Sequence, residues 1–321
     1  MGHLGGEKIQ RTERVGEQHA GGRLDQVAAE LFDGFSRSRL QGWIKQGVLK
    51  VNGQPARPKD KLIGGEALSL DVELAPEIDD QPEAIDLPVV YEDHDLIVIN
   101  KPSGLVVHPA AGHAAGTLLN GLLHLDDRLS SLPRAGIVHR LDRDTTGLMV
   151  VARSVEAHTG LVAQLQDKSL YREYEAIAVG VMTGGGTVNA AIGRHPVDRK
   201  RQAVVQHGGK TAVTHYRVLD RYRAHTRIQV RLETGRTHQI RVHLSSAGLP
   251  IAGDTVYGRS RERPRSRGFR IELERPALHA ARLAFSHPRT GERLDFSAPL
   301  ADDLAAFEQA LAAFGSESDS T

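Results

Sequence analysis

The chain has 321 residues, of which 40% are hydrophobic and 25% charged, and its formal net charge is +1. This length allows two domains, and the composition is typical of a globular protein. Because the chain has no cysteine, no secretory signal and no apolar run near the roughly 20 residues of a membrane span, we expect no disulfide, no thiolate zinc site, no membrane anchor and a cytoplasmic location.

Composition divides the chain into five stretches. They are a glycine-rich flexible start (1–21), a small module (22–74), an acidic linker (75–86), a larger domain (87–312) and a polar tail (313–321). The linker interpretation depends on five acidic residues, two prolines and the absence of any basic residue in that stretch.

The sequence of the small module predicts two helices followed by a small sheet. Apolar residues from Leu24 to Leu31 recur at helical spacing. A second helix, SRSRLQGWIKQG, begins with Ser36 as a candidate N-cap and ends at Gly47. VLKVNGQPARP predicts two strands around a turn at Asn52 and Gly53, and GGEALSLDV predicts another turn and strand.

The larger domain alternates strand-like runs with short helical ones. The strand-like runs are LPVVYE, LIVIN, LMVVA, EYEAIAVG and RIQVRLE, and LAAFEQALAAF near the end has a helical period. Because the runs do not form regular βαβ repeats, they favour an α+β fold with a mixed or antiparallel sheet.

Basic residues are concentrated in three clusters on this nearly neutral chain. Residues 37–61 contain seven basic residues and one acidic residue, residues 194–210 contain five and one, and residues 259–270 contain six and one. A single cluster is usually a solvated face, but three together favour a surface that follows a phosphate backbone.

The module at 22–74 resembles the alpha-L RNA-binding module of a small-subunit ribosomal protein, tyrosyl-tRNA synthetases and several RNA modifiers. The matching segments are RLDQVAA, SRSRLQGWIKQGVLKVNGQ and GGEALSL. The resemblance implies that Arg37, Arg39, Lys45 and Lys50 contact RNA phosphates. The alternative is that these four residues are ordinary surface charges. Trp43 is predicted to lie in the core.

The segment GIVHRLDRDTTGLMVVARS, residues 136–154, joins two apolar runs through a charged loop. Gly136–Val138 predicts a strand, and a Thr-Thr-Gly turn leads into the buried run LMVVA. Asp142 lies between Arg140 and Arg143, and cations close to a carboxylate keep it ionised and nucleophilic. From spacing alone, a salt-bridged structural loop is the favoured interpretation.

HRLDRDTTGLMVVA within this segment is similar to the central motif of the RluA-type pseudouridine synthases, and the length of the match makes it specific. The resemblance implies that Asp142 is the catalytic aspartate. It also implies that Arg140 helps to extrude the target base and fills its place in the stack. Enzymes that act on a base inside structured nucleic acid commonly remove it from the stack in this way.

Four further segments resemble this family and stand in its order. They are LIVINKPSGLVVHP (96–109), YREYEAIAVG (171–180), ETGRTHQIRVHLSSAGLPIAGDTVYG (233–258) and PALHAARLAFSHP (276–288). The matches imply that Tyr174 is the active-site tyrosine and that Arg241 pairs with the aspartate. Arg172 stands where many relatives have lysine, which preserves the charge. The resemblance spans residues 22–312 and points to the D type of large-subunit synthase within the family.

The resemblance implies a target in 23S ribosomal RNA, in the helix 69 stem-loop, either as free RNA or in a pre-50S particle. Because the isomerisation involves neither redox chemistry nor group transfer, we expect no cofactor and no metal. Asp142 either attacks the anomeric carbon or removes a proton from the adjacent sugar carbon, and both routes stay open. Arg241 would keep Asp142 ionised, and Tyr174 would lie against the base and help to remove the carbon 5 proton.

Other functions are weighed against this one. A non-catalytic RNA-binding or ribosome-assembly factor, and a synthase acting on another rRNA site or on tRNA, are the alternatives. A retaining glycosidase needs two carboxylates, and Asp144 is better interpreted as ordering the loop. His139, His238 and His243 lack the spacing of a zinc helix, so they do not predict a metal site. A monomer is the default expectation.

Overall fold

The computed structural model describes residues 8–33, 35, 37–73, 81–110, 113–198, 201–258 and 273–316. The chain forms two compact units, unit 1 ending at Asp79 and unit 2 beginning at Asp80, and this division falls within the predicted acidic linker. Among the helices described, none combines the length and the apolar character needed to cross a membrane.

Unit 1 consists of two helices and a three-stranded sheet. Its elements are β1 (Lys8–Arg14), α1 (Leu24–Leu31), α2 (Arg37–Gln46), β2 (Leu49–Val51) and β3 (Ala67–Glu73), with a 3-10 turn at Glu17–His19. The strands are antiparallel in the order β1-β3-β2. Leu24 and Val27 of α1 and Leu40 of α2 are buried in one core, as the helical spacing predicts.

Two expectations about unit 1 were wrong. Residues 8–14 were expected to be flexible, but they form β1, which pairs along its whole length with β3. Ile9 is the only apolar residue of β1, so its own sequence gives little strand signal. The strand predicted directly after the Asn52-Gly53 turn is absent: of residues 54–58 only Gln54 makes a bridge, to Val51, and β2 pairs with β3 instead.

Among the described residues, unit 2 consists of eleven short strands and four α-helices. Its elements are β4 (Val89–Glu92), β5 (Leu96–Lys101), α3 (Leu118–Leu125), β6 (Thr146–Ala152), α4 (Val155–Gln166), β7 (Tyr171–Val179), β8 (Gly186–Asn189), β9 (Ile192–Arg194), β10 (Gln202–Val204), β11 (Val213–Arg221), β12 (His225–Leu232), α5 (Gln239–Ser246), β13 (Leu278–Ser286), β14 (Arg293–Ser297) and α6 (Asp302–Ser316), with 3-10 turns at Asp127–Ser131 and Pro133–Gly136.

Most of these strands form one nine-stranded sheet in the order β4-β5-β6-β13-β7-β12-β11-β8, with β14 also paired to β13. Neighbouring strands are antiparallel except β6 and β13, which run parallel. The sheet is therefore mixed, which confirms the predicted α+β class. The strands β9 and β10 form a separate two-stranded ribbon.

Side chains of the central strands β5 and β6 alternate between two cores, which explains why both runs are apolar throughout. Ile97 and Met149 pack in the larger core with helices α3, α5 and α6. Leu96 and Leu148 pack in a second core with α4. Because both faces are covered, this part of the sheet is a rigid base for the loop that precedes β6.

Three smaller expectations about unit 2 need correction. Gly136–Val138 is not a strand: a 3-10 turn ends at Gly136, and Ile137 makes one isolated bridge to Val151. The end of the acidic linker is held against α3, since the backbone N–H of Glu83 donates to the carbonyl of Asn120 at 3.0 Å and Nδ2 of Asn120 donates to the carbonyl of Gln81 at 2.8 Å. The predicted polar tail begins too early, because α6 continues to Ser316.

Candidate active site

The loop that carries Asp142 is held in place by a buried lysine at the end of β5. The Lys101 side chain is fully buried, and its Nζ donates hydrogen bonds to the carbonyls of Pro102 at 2.7 Å, Leu105 at 3.0 Å and Arg143 at 2.8 Å. Burial lowers the pKa of Lys101 to about 7, although the nearby Asp144 and Asp142 carboxylates oppose this shift. The ammonium group thus ties the loop to the segment after β5.

Asp142 forms an ion pair with an arginine from a distant part of the chain. Arg241, on α5, donates from Nη1 to Oδ2 of Asp142 at 3.1 Å. The other side of the same guanidinium makes a bidentate pair with Asp254, at 2.7 Å from Nε and 3.0 Å from Nη2. Arg241 is 8% exposed and Asp254 is 1% exposed, so this chain of charges is largely shielded from water.

The charges of this group stabilise one another. Burial alone would raise the pKa of Asp254, but hydrogen bonds from Arg241 lower it below its ordinary value. Burial opposes protonation of Arg241, but the Asp254 and Asp142 carboxylates raise its pKa. The predicted pairing of Arg241 with Asp142 is therefore confirmed. Its partner Asp254 was not identified from the sequence, where the only signal is an acidic residue inside the GDTVYG segment.

The two arginines beside Asp142 in sequence do not pair with it. Arg143 makes a bidentate pair with Asp144, at 2.9 and 3.1 Å, so the expectation that it supports Asp142 was wrong. Arg140 is exposed and makes no ion pair with any carboxylate of the described residues. The ordering role expected of Asp144 agrees with its pairing with Arg143.

Tyr174, on β7, lies in the wall of the same pocket as Asp142. This pocket is partly open to solvent, and its lining includes Arg140, Asp142, Tyr174 and Arg241. Tyr174 is 5% exposed, and burial raises its pKa, with a smaller opposing effect of Arg172. The structure thus brings together all four residues that the family resemblance implies for the reaction.

A wider cleft adjoins this pocket on the side of Arg140. It is lined by Val107, Asp144, Arg201 and Val256 together with the Asp142 loop. The second basic cluster contributes Arg201, whose guanidinium lies 5.1 Å from the ring centroid of Tyr257. Residues 199–200 of this cluster, and the whole third cluster at 259–270, lie outside the described residues.

His238 forms the N-cap of α5 in an unusual conformation and also lines the pocket. Its backbone has φ 56° and ψ 24°, in the left-handed region that residues other than glycine rarely adopt. Its Nδ1 lies 2.8 Å from the Tyr257 hydroxyl, which itself accepts a hydrogen bond from the N–H of Gln202. Sequence reasoning considered His238 only as a metal ligand and missed Tyr257, because neither contact is local in sequence.

The three histidines weighed as metal ligands have other environments. Nε2 of His139 accepts a hydrogen bond from the N–H of Val150 at 3.1 Å, and burial lowers the pKa of His139 to about 3. His243 is hydrogen-bonded to Thr214. Among the described residues, one group could supply three ligand atoms, Asp93, Asp95 and His287, and it contains none of these three histidines.

The four predicted RNA contacts of unit 1 differ in their surroundings. Arg37 donates from Nη2 to Asp25 at 2.6 Å, so its guanidinium joins α2 to α1. Arg39 lies over the rings of Phe35 and Trp43, with its guanidinium carbon 6.0 and 5.4 Å from their centroids. Lys45 and Lys50 are exposed. RNA binding by these residues stays a prediction, and the geometry makes the two lysines its best candidates.

Comparison with protein families gives two matches. Residues 95–246 match the RNA pseudouridylate synthase model, and residues 22–68 match the S4 domain model. The first match contains Asp142, Tyr174 and Arg241, and the second contains the four predicted RNA contacts of unit 1.

Curated relatives match over nearly the whole chain. A ribosomal large subunit pseudouridine synthase D of Pseudomonas aeruginosa is 54% identical over 93% of this chain and 94% of its own length. Proteins of the same name from Vibrio parahaemolyticus and Escherichia coli are 52% and 50% identical, over 95% and 93% of this chain and 95% and 93% of their own lengths.

Solved structures show the same relationship. Human RNA pseudouridylate synthase domain containing 4 is 25% identical, with a TM-score of 0.54, over 70% of this chain and 93% of its own. Human RNA pseudouridylate synthase domain containing 1 is also 25% identical, with a TM-score of 0.53, over 72% and 96%. The chain therefore belongs to the RNA pseudouridylate synthases, which are isomerases, and carries an amino-terminal S4 domain.

Proposed function

We propose that this protein isomerises specific uridines of large-subunit ribosomal RNA to pseudouridine, with Asp142 as the essential carboxylate. The observation that carries the proposal is the chain of ion pairs Asp142–Arg241–Asp254 at a pocket that adjoins a wider cleft lined by Arg140 and Arg201. The names of the curated relatives support ribosomal RNA of the large subunit as the substrate.

The reaction needs a carboxylate that stays negatively charged beside a ribose. Asp142 has a cation at 3.1 Å, and that cation is held in place by a second carboxylate, so Asp142 is oriented without being neutralised. Asp142 then either attacks the anomeric carbon or removes a proton from the neighbouring sugar carbon. In both routes the bond between nitrogen 1 and the sugar breaks, and the base turns before carbon 5 bonds to the sugar. Forming that bond displaces the Asp142 carboxylate or returns the sugar proton. Carbon 5 then loses its hydrogen to solvent as a proton, and nitrogen 1 takes up a proton.

Tyr174 and Arg140 have different tasks in this proposal. Because burial raises the pKa of Tyr174, its hydroxyl stays protonated at neutral pH, and we assign it contact with the base rather than proton removal as a free phenolate. Arg140 is exposed where the inner pocket meets the wider cleft, a position suited to filling the gap that an extruded base leaves in the stack.

The decisive measurement is tritium release from carbon 5 of uridine in labelled large-subunit rRNA. Wild type should release tritium, and Asp142→Asn should be slower by about 10³-fold or more, because an amide is a poor nucleophile and base. Asp295→Asn, in a surface pair with Arg282, is the matched control and should retain activity. Undiminished release by Asp142→Asn would contradict the assignment of the carboxylate.

The target uridines are proposed to lie in the helix 69 stem-loop of 23S rRNA. In this proposal the protein is a cytoplasmic monomer that binds either free RNA or a pre-50S particle. Mapping pseudouridines in a strain that lacks the gene tests this, since the helix 69 positions should revert to uridine. Pseudouridines lost from another rRNA site or from tRNA would move the target there. If every position persisted and wild type released no tritium, a non-catalytic RNA-binding or assembly role would be favoured.

A further inference from the structure

A buried arginine on β7 lines the pocket beside Asp142 without an acceptor. Arg172 is 7% exposed, and its Nε has no hydrogen-bond partner. None of the described carboxylates forms an ion pair with it, in contrast to Arg241, which has two. Removing a guanidinium from water without a compensating charge is costly, so such a group is expected where an anionic or acceptor ligand completes the site.

The neighbours of Arg172 do not supply that compensation. His139 is neutral because burial lowers its pKa to about 3, and the Tyr174 hydroxyl stays protonated because burial raises its pKa. Gly235 leaves room for the guanidinium, since a Cβ there would lie 2.9 Å from Nη1 of Arg172. Thr145, in the same pocket, has a second buried side-chain atom without a partner, its Oγ1.

We propose that Arg172 contacts the uracil ring and stabilises the negative charge that it gains when its bond to the sugar breaks. This inference rests on the proposed function. The bond between nitrogen 1 and the anomeric carbon breaks with its electron pair going to the base, and the charge spreads from nitrogen 1 to the carbonyl oxygens. A fixed cation in a buried pocket stabilises such developing charge more than the neutral ground state.

The symmetry of uracil allows one cation to act on both sides of the isomerisation. A half-turn about the line through nitrogen 3 and carbon 6 exchanges nitrogen 1 with carbon 5 and oxygen 2 with oxygen 4. A donor placed for one carbonyl oxygen before the turn therefore meets the other oxygen after it. Arg172 and Tyr174 lie on the same face of β7, two residues apart, so both can reach the base.

The first test compares Arg172→Met with Arg172→Lys in single-turnover tritium release on large-subunit rRNA. Arg172→Met should slow tritium release about 100-fold, while the affinity for RNA changes less than about threefold. Arg172→Lys should release tritium about tenfold faster than Arg172→Met. Thermal unfolding distinguishes this role in the reaction from a structural role. Removing an uncompensated buried charge should leave the melting temperature unchanged or raise it by about 2 °C. A lower melting temperature in both variants would overturn the proposal.

A second variant perturbs Arg172 without replacing it. Gly235→Ala places a Cβ against the guanidinium and should slow release about tenfold, through displacement of the arginine. Gly184→Ala, at a glycine with open space around it, is the matched control and should keep the wild-type rate. Equal rates for the two variants would count against the position assigned to Arg172.

The nature of the ligand is tested with RNA that contains 5-fluorouridine. Fluorine makes the uracil anion more stable, so the penalty of Arg172→Met on cleavage of the sugar–base bond should shrink to about tenfold or less. An unchanged penalty, or a loss of RNA affinity that accounts for the rate, would identify a phosphate ligand and overturn the proposal. If the wild-type protein were inactive on every rRNA, the proposed function itself would be contradicted.

Discussion

At the scale of single residues, the site depends on how a buried carboxylate is compensated. Asp254 is 1% exposed and accepts two hydrogen bonds from Arg241. Its Oδ1 also accepts the backbone N–H groups of Val256 and Tyr257, each at 3.0 Å. Because its lone pairs are occupied in this way, Asp254 fixes the direction from which Arg241 approaches Asp142.

Replacing Asp254 tests this positioning role. Asp254→Asn keeps the shape but removes the charge that holds Arg241, so we expect tritium release to fall by about 10–100-fold while RNA affinity is retained. The same assay applied to Asp295→Asn, which breaks an exposed arginine–aspartate pair, should give the wild-type rate. Equal activity of Asp254→Asn and wild type would show that Arg241 needs no second carboxylate.

At the scale of elements, the Asp142 loop is positioned by a close approach of two strands. Gly147 of β6 lies opposite Ala280 of β13 with φ +114°, and a Cβ there would stand 2.3 Å from the Ala280 carbonyl oxygen. Only glycine fits both the backbone angle and the contact. The parallel pairing of β6 with β13 therefore begins directly after the Asp142 loop.

Gly147→Ala should destabilise the protein by about 3 kcal/mol or more, because it adds a backbone clash to an unfavourable φ. Gly180→Ala is the matched control: Gly180 has a similar φ of +107° but no atom within 4 Å of an added Cβ. We expect Gly180→Ala to cost only about 1 kcal/mol. Denaturant unfolding of both variants measures the difference, and equal losses would show that the contact with Ala280 is unimportant.

The two helices of unit 1 are joined by a buried aspartate. Asp25 is fully buried and accepts hydrogen bonds from Arg23 at 3.0 Å, Arg37 at 2.6 Å and Gln41 at 2.6 Å. Burial alone would raise the pKa of Asp25, but the hydrogen bond from Arg37 and the others lower it far below its ordinary value of 3.8. Asp25 thus connects the start of α1 with α2.

This pKa predicts the pH dependence of unit 1. Because the folded pKa of Asp25 is depressed, its contribution to stability is fully present above the ordinary value of 3.8 and is lost as the pH falls below it towards the folded pKa. Asp25→Asn should cost about 3 kcal/mol at pH 7 and flatten the acid dependence. Thermal unfolding from pH 7 to pH 2 checks this, with the exposed Asp33→Asn as the control.

At the scale of the whole molecule, a near-neutral chain has exposed or cleft-lining basic side chains at the places where RNA binding is proposed. Unit 1 presents Lys45 and Lys50 at its surface, and unit 2 contributes Arg140 and Arg201 to the cleft. Net charge therefore says little about the partner of this protein, whereas the distribution of charge agrees with a nucleic acid.

Removing two exposed lysines tests the RNA-binding role of unit 1. Lys45→Gln combined with Lys50→Gln should weaken rRNA binding and reduce the slope of log affinity against log salt by about 1.4 to 1.8. The single-turnover rate at saturating protein should change little. A matched double variant, Lys168→Gln with Arg282→Gln, removes two exposed charges that are paired with Glu233 and Asp295. Identical salt slopes for both double variants would exclude these lysines as phosphate contacts.

The sequence alone located most of the local elements and singled out the candidate for the reactive group. Helical spacing located α1 and α2, continuous apolar runs located β5 and β6, and the family motif singled out Asp142, Tyr174 and Arg241. These features are local, since a period, a run or a motif is contained in one stretch of chain. The catalytic roles of these residues stay predictions, while their assembly at one pocket is a property of the structure.

Only the tertiary structure decided which charges meet. Asp142 forms an ion pair with Arg241, 99 residues away, whereas its sequence neighbour Arg143 forms an ion pair with Asp144. Strand β1 forms where β3 offers it an edge, and Arg172 is buried without an ion-pair partner among the described carboxylates. Such contacts join distant segments through packing and hydrogen bonding, so no local pattern in the chain encodes them.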